Sequence, residues 1–187
     1  MNDSTKYVLD LIKGWVWSGY YEPDEVQERI GEILEEDADE ALLRAAVAPE
    51  FERKAQAEKS WPKETDCDRL DKVFQALNAS GIVALHNAGY TYSDGIADAS
   101  EVIAQRGKNR VRGFCFYHGQ DVERAVDGGG LWIAFGGLND KDKAKKVEAG
   151  SAVKQALEAQ GLAVVWDGDP ETRLSIPNFD WKRRRQA

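Results

Sequence analysis

Residues 81–95, GIVALHNAGYTYSDG, decide how the chain folds. The apolar run Ile82, Val83, Ala84, Leu85 stops at His86 and gives way to a polar, aromatic, glycine-bearing loop, the pattern of a buried strand delivering a loop to a sheet end. Upstream, TDCDRLDKVFQALNAS reads as a helix. Thr65 is placed to cap it, Asp66 and Asp68 lie in its first turn, and Leu70, Val73, Phe74 and Leu77 form its buried stripe. Downstream, a helix over 96–106 ends at Gly107. A second strand over 113–117 then runs into His118, as the first runs into His86. GQDVERAV is a short helix, the glycines at 128–130 a turn, and 131–135 a third strand. A long helix over 140–160 and strands over 162–166 and 172–176 complete the pattern.

From residue 81 the order is therefore strand, helix, strand, strand, helix, strand. It predicts an α+β fold, a ferredoxin-like antiparallel βαββαβ sandwich with an inserted short helix and an extra C-terminal strand. The first two strands are then parallel with the third between them, and His86 and His118 emerge at one sheet edge, about 10 Å apart from two interstrand spacings. A doubly wound α/β sheet is the alternative, in which the insert serves as a crossover.

The first sixty residues differ in character. Tyr7, Val8, Leu11, Ile12 and Trp15 recur at helical spacing, with Ser4 placed to cap, and Pro23 opens a second helix with Val26, Ile30, Ile33 and Leu34 on one face. A third helix, capped by Asp39, is expected to break or kink at Pro49. Trp61-Pro62 closes this arm. The expected organisation is an acidic helical arm over 1–60 and an α+β core over 61–187. The net charge of −8 sits wholly in the arm, which holds 7 Lys/Arg against 15 Asp/Glu, while the remainder balances at 18 against 18. Ten of those carboxylates fall between Glu22 and Glu40, with Arg29 the one cation.

Such a surface repels nucleic-acid backbones and attracts basic partners. The basic run Lys182, Arg183, Arg184, Arg185 is expected to be a solvated tail. No apolar run is long enough for a membrane span and the start lacks a signal-peptide pattern, so a cytoplasmic protein is expected. Cys67 and Cys115 lie in no metal-binding or disulfide spacing, and no cofactor motif is present.

The chemistry-bearing residues converge on one predicted edge. His86, His118, Asp94 and Asp121 are the candidates for acid–base work, and Asp66, Asp68, Asn87, Tyr90, Tyr92 and Gln120 the candidates for binding. Each has a plainer role available: Asp66 and Asp68 complement a helix dipole, Asp94 caps a helix, and the histidines lack local ligand spacing. The three glycines follow a helix and precede a strand, the reverse of a phosphate cradle. On the arm, Glu25, Glu28, Glu32 and Glu35 form the candidate partner surface.

Three blocks, WPKETDCDRLDKVFQALNASGIVALHNAGYTYSDG, FCFYHGQDVERAVDGGGLWIAFGG and VVWDGDPETRLSIPNFDWKRR, together resemble an uncharacterised bacterial family known as a domain of unknown function. The resemblance runs over 61–184 and leaves out the arm. It implies no activity. Some relatives carry a cysteine-rich segment where this chain has 88–95, so thiol or metal chemistry at that loop does not carry over. The expected function is a module that binds a basic protein, of the kind seen in small acidic antitoxins and immunity proteins. The alternative is a small metal-assisted hydrolase working through His86, His118 and nearby aspartates.

Overall fold

The computed structural model describes residues 2–185, which form two compact units: residues 2–65 with 182–185, and Asp66–Trp181. The first unit holds three helices, α1 (Asp3–Ser18), α2 (Pro23–Ile33) and α3 (Glu40–Glu58). Their apolar stripes meet in a core of Val8, Ile12, Trp15 and Val16 from α1, Val26 and Ile30 from α2, and Leu43 and Val47 from α3. The cap of α1 is Asn2, whose Oδ1 accepts from Thr5 N at 2.9 Å, in place of the expected Ser4. Pro49 does not break the third helix, which runs through it. Loss of one N–H there is offset by the anchors that follow on α3: Glu50 accepts from Trp17 Nε1 at 2.6 Å, and the buried Lys54 donates to Val16 O at 3.1 Å.

The C-terminal run is not a solvated tail, and it belongs to this helical unit. Arg183 is buried, its guanidinium 5.0 Å above the ring of Tyr20. Its backbone and stem cross Gly19, which ends α1 in the left-handed region (φ 79°) and where any Cβ would come within 2.8 Å of Arg183. Arg184 donates to Pro62 O at 2.6 Å and lies over Trp61, and Arg185 pairs with Glu22 at 3.4 Å.

The second unit contains α4 (Asp66–Ala79), β1 (Ile82–Leu85), α5 (Tyr92–Arg106), β2 (Gly113–Phe116), α6 (Gly119–Val126), β3 (Leu131–Gly136), α7 (Lys143–Ala159) and β4 (Leu174–Ile176). The class is α+β as expected, but the strand order departs from the ferredoxin-like arrangement. It is β1-β2-β3-β4: β1 and β2 are parallel hydrogen-bonded neighbours with Leu85 opposite Phe116, and the two remaining pairs are antiparallel. Helix and strand order alone leaves open whether β3 joins β2 on its inner or outer side. Here the inner side is occupied by a β1–β2 ladder that extends past both strand ends, through Arg112 N to Gly81 O and Ala88 N to Tyr117 O, both 2.9 Å. A doubly wound sheet is not formed either, since β3 and β4 run antiparallel. The expected strand over 162–166 is reduced to a single bridge between Val165 and Ser175.

Helices α4 and α7 pack on one face of the sheet, and α5 on the other. Val83, Leu85, Phe114, Phe116 and Ala134 face α5, where they meet Ala99 and Ile103. Close approach of α5 depends on Gly95, because a Cβ there would lie 2.2 Å from the Phe116 ring. Cys115 and the alternate residues point to α4 and α7, and burial without a charged partner pushes the Cys115 thiol far above its usual value, so it is an inert core residue. Among the described residues no helix is long and apolar enough to cross a membrane.

The outer edge of β1 is closed by a side chain. Asn78 Nδ2 donates to Ala84 O at 2.9 Å and its Oδ1 accepts from Ala84 N at 3.0 Å, so one amide from α4 stands in for a neighbouring strand. Replacing Asn78 by Ala strips the buried Ala84 of both partners. We expect a loss of about 2 kcal/mol in urea unfolding, since an unsatisfied buried group costs about 1–3 kcal/mol. An unchanged midpoint would show that water replaces the amide.

Candidate functional site

The parallel β1–β2 pair brings His86 and His118 to the same end of the sheet, but the pleat separates them. Register continues from Leu85 opposite Phe116, so His86 aligns with Tyr117, and His118, one residue further, turns to the other face. The two rings accordingly have different partners. His86 stacks on Phe74 of α4 at 4.4 Å, its Nδ1 lies 2.7 Å from the hydroxyl of the buried Tyr117, and its Nε2 lies 3.5 Å from Asp71. The shared two-histidine site expected from a ferredoxin-like order is not formed, because the register leaves His118 one residue beyond the partner of His86 and the pleat turns the two rings to opposite faces. Among the described residues no group of three His, Cys, Asp or Glu side chains is arranged to hold a metal ion.

His118 is part of a buried ionic cluster. Asp121, in the first turn of α6, is fully buried and accepts from Arg173 Nη2 at 2.8 Å and Arg124 Nη1 at 3.1 Å on Oδ1. Its Oδ2 lies 3.2 Å from Arg173 Nη1, from the His118 backbone N and from His118 Nε2. Arg173 thus engages the carboxylate through both Nη groups, the planar match at which arginine surpasses lysine. Both guanidiniums also lie over Trp132 of β3, at 5.5 Å for Arg173 and 6.0 Å for Arg124. Burial pushes His118 below its usual value despite the attraction of Asp121, and the two arginines add to the shift. Its Nε2 also lies 3.2 Å from Arg173 Nη1, which can only donate, so that nitrogen of the neutral ring accepts from the arginine. Its Nδ1 is turned toward the first-turn amide of α6 but makes no hydrogen bond. The cluster joins the end of β2, α6 and the strand entry of β4, and its histidine is sealed from solvent.

The loop after β1 is held by backbone bonds to the start of α6. Gly119 N donates to Gly89 O at 3.0 Å and Gln120 N to Tyr90 O at 3.2 Å, and Asn87 makes the turn with a positive φ of 46°, which asparagine tolerates. The candidate residues of this loop are largely committed to its own geometry. Asp94 completes a capping box on α5, accepting from Thr91 N and Thr91 Oγ1, both at 2.9 Å. These bonds from Thr91, backbone first, hold its carboxyl below the usual carboxylate range. Tyr90 reaches across to Glu123 at 3.2 Å, and burial raises the carboxyl of Glu123. Tyr92 is half exposed and tilts against Phe116. At the other face, Asp66 accepts from Arg69 and from Asp180 N, while Asp68 occupies the same first turn of α4. Sequence reasoning missed Arg173 and Trp132, which sit on other elements than Asp121 and carry no local motif, whereas the pairing of Arg124 with Asp121 within one short helix is the plain reading of their spacing. The available signal was Asp121 itself, an acidic residue in the short amphipathic segment GQDVERAV whose inward side needs a cationic partner.

The acidic helix α2 is arranged as its sequence implies. Asp24, Glu25, Glu28, Glu32 and Glu35 are all exposed. Glu25 accepts from Glu22 N in a capping box and Glu35 accepts from Ser4 at 2.7 Å. Asp24, Glu28 and Glu32 form an i, i+4 ladder with no hydrogen bond or ion pair to any described residue. Arg29, the cation within reach in sequence, is instead stacked on Tyr21 at 4.1 Å and Trp15 at 5.7 Å.

The fold and these clusters define a two-part α+β protein with an acidic three-helix unit and a mixed-sheet unit braced by a buried Asp–Arg–His cluster. The chain belongs to the family described as domain of unknown function DUF6891, whose model matches residues 1–185. The match includes the helical arm that the resemblance left out. No curated protein and no solved structure matches the chain.

Two outcomes test the cluster. Asp121→Ala leaves two guanidiniums and a histidine facing an empty acceptor position, and is expected to cost about 3–5 kcal/mol in denaturant unfolding; a cost under 1 kcal/mol would show that the arginines find water. Because folding lowers the pKa of His118, its contribution is complete above the usual histidine value of 6.5 and is lost as pH falls from there through the folded value. Wild-type Tm should therefore drop between pH 7 and 5 more steeply than that of His118→Gln, and equal slopes would remove His118 as the cause.

Proposed function

We propose that the protein is a binding module that engages a basic protein through the exposed face of α2. The observation that supports this reading is the uncompensated ladder of Asp24, Glu28 and Glu32. Like charges at i, i+4 destabilise a helix by about 0.2–0.5 kcal/mol per pair, whereas other carboxylates of the chain are paired, as in Glu40–Arg44, Glu148–Lys145 and Glu171–Lys146. On α2 the repulsion is kept and the nearest arginine is turned away onto aromatic rings. A row of solvated carboxylates steers a cationic surface toward itself and is neutralised on contact. Antitoxins and immunity proteins work in this manner, and the analogy rests on charge and size. The hydrolase reading has no comparable support, as its two histidines lie on opposite faces of the sheet and His118 is buried.

Charge reversal separates binding from stability. Glu28→Lys converts two repulsive pairs into attractive ones and should raise stability by about 0.5–1 kcal/mol. The same change, combined with Glu32→Lys, should abolish capture of the partner from the native host. Wild type should retain a basic protein at low salt and release it at moderate salt. A partner that the doubly reversed variant still retains, or one without a basic surface, would overturn the proposal.

A further inference from the structure

A groove of about 440 Å³ lies in the sheet unit between α5 and the segment that follows β3, within the size range of small-ligand sites. One wall is a single helical stripe, Tyr92, Ile96, Ser100 and Ala104, continued by Lys108 just beyond the end of α5. The floor and opposite wall are Phe114, Gly136, Gly137 and Leu138. Leu138 and Tyr92 are among the exposed large apolar side chains, so the groove leaves apolar surface in water.

The charges are gathered at one end. Helix α5 returns antiparallel to β2, so its C-terminal end meets the exit of β3, where Asp140 and Lys146 also line the groove. Lys108 is exposed and its ammonium makes no ion pair or hydrogen bond to any described residue. Lys146 is nine-tenths buried, and its Nζ donates to Asp140 at 3.2 Å and Glu171 at 3.1 Å. An ammonium has three donors, so one N–H of a fixed, buried cation remains for a ligand. Asp140 itself is almost fully exposed, whereas Lys146 is buried and held by two carboxylates.

We infer that this groove binds a small amphipathic carboxylate, its apolar body along Ile96 and Phe114 and its acid group between Lys108 and the third N–H of Lys146. The apolar walls supply affinity and the two lysines fix the direction in which the molecule lies. This site is on the sheet unit and is independent of the acidic face of α2.

The test uses the full chain with octanoate, octanol and octylamine, which share one apolar body. Binding is read by isothermal titration and by amide shifts of Gly136, Gly137 and Lys108. Octanoate should bind at least about tenfold more tightly than octylamine, and Lys108→Glu should weaken octanoate by about tenfold, the effect of reversing one charge near a solvated carboxylate. Ser100→Trp, at an exposed position, should fill the groove and abolish the amide shifts while leaving Tm unchanged. Octylamine binding as well as octanoate, octanoate insensitive to Lys108→Glu, or shifts that map elsewhere would each overturn the assignment.

Discussion

One buried carboxylate organises the sheet unit. Asp121 has no access to solvent, and a charge in that position is tolerable only if cations and donors surround it. The chain supplies them from three places: Arg124 one turn along α6, Arg173 at the entry to β4, and His118 at the exit of β2. Arg173 immediately precedes β4, so its bonds to Asp121 tie the last strand to α6 across fifty-two residues of sequence. Trp132, lying under both guanidiniums, ties β3 into the same arrangement.

The helical unit treats its cations in a related way. Arg29 and Arg183 rest on tyrosine rings, and Arg184 on Trp61. Guanidinium is weakly hydrated and stacks well on aromatic faces, so it can leave water with less penalty than lysine. The consequence along α2 is an unequal surface, with Arg29 directed at rings and the carboxylates of Asp24, Glu28 and Glu32 left in solvent.

Much of this was legible in the sequence because periodicity and capping are local. The stripe Leu70, Val73, Phe74, Leu77 is the buried stripe of α4, the acidic run from Glu22 to Glu40 is exposed along α2 and the connection to α3, and the run 82–85 is a strand buried over 82–84. What was not legible depends on pairing between distant segments. Which side of β2 receives β3 is decided by hydrogen bonds such as Ala88 N to Tyr117 O, and nothing in either segment encodes the choice alone. Register is a pairing property too: it leaves His118 one residue beyond the partner of His86, and so on the opposite face. The docking of Arg183 was hidden for the same reason: four basic residues at a chain end look solvated unless Tyr20, Trp61 and Glu22 are known to be nearby. Pro49 misled in the other direction, since tertiary anchoring at Glu50 and Lys54 outweighed a local helix-breaking preference.

The amide of Asn78 bears on how this protein meets others. A sheet edge with open N–H and C=O groups invites strand addition by a peptide or by another copy of the same chain. At β1 the invitation is withdrawn by a side chain from the same unit, and at β4 the bridge from Val165 occupies Ser175 in both directions. With both borders of the sheet engaged, the short strands are guarded against the cross-β stacking that unprotected edges template.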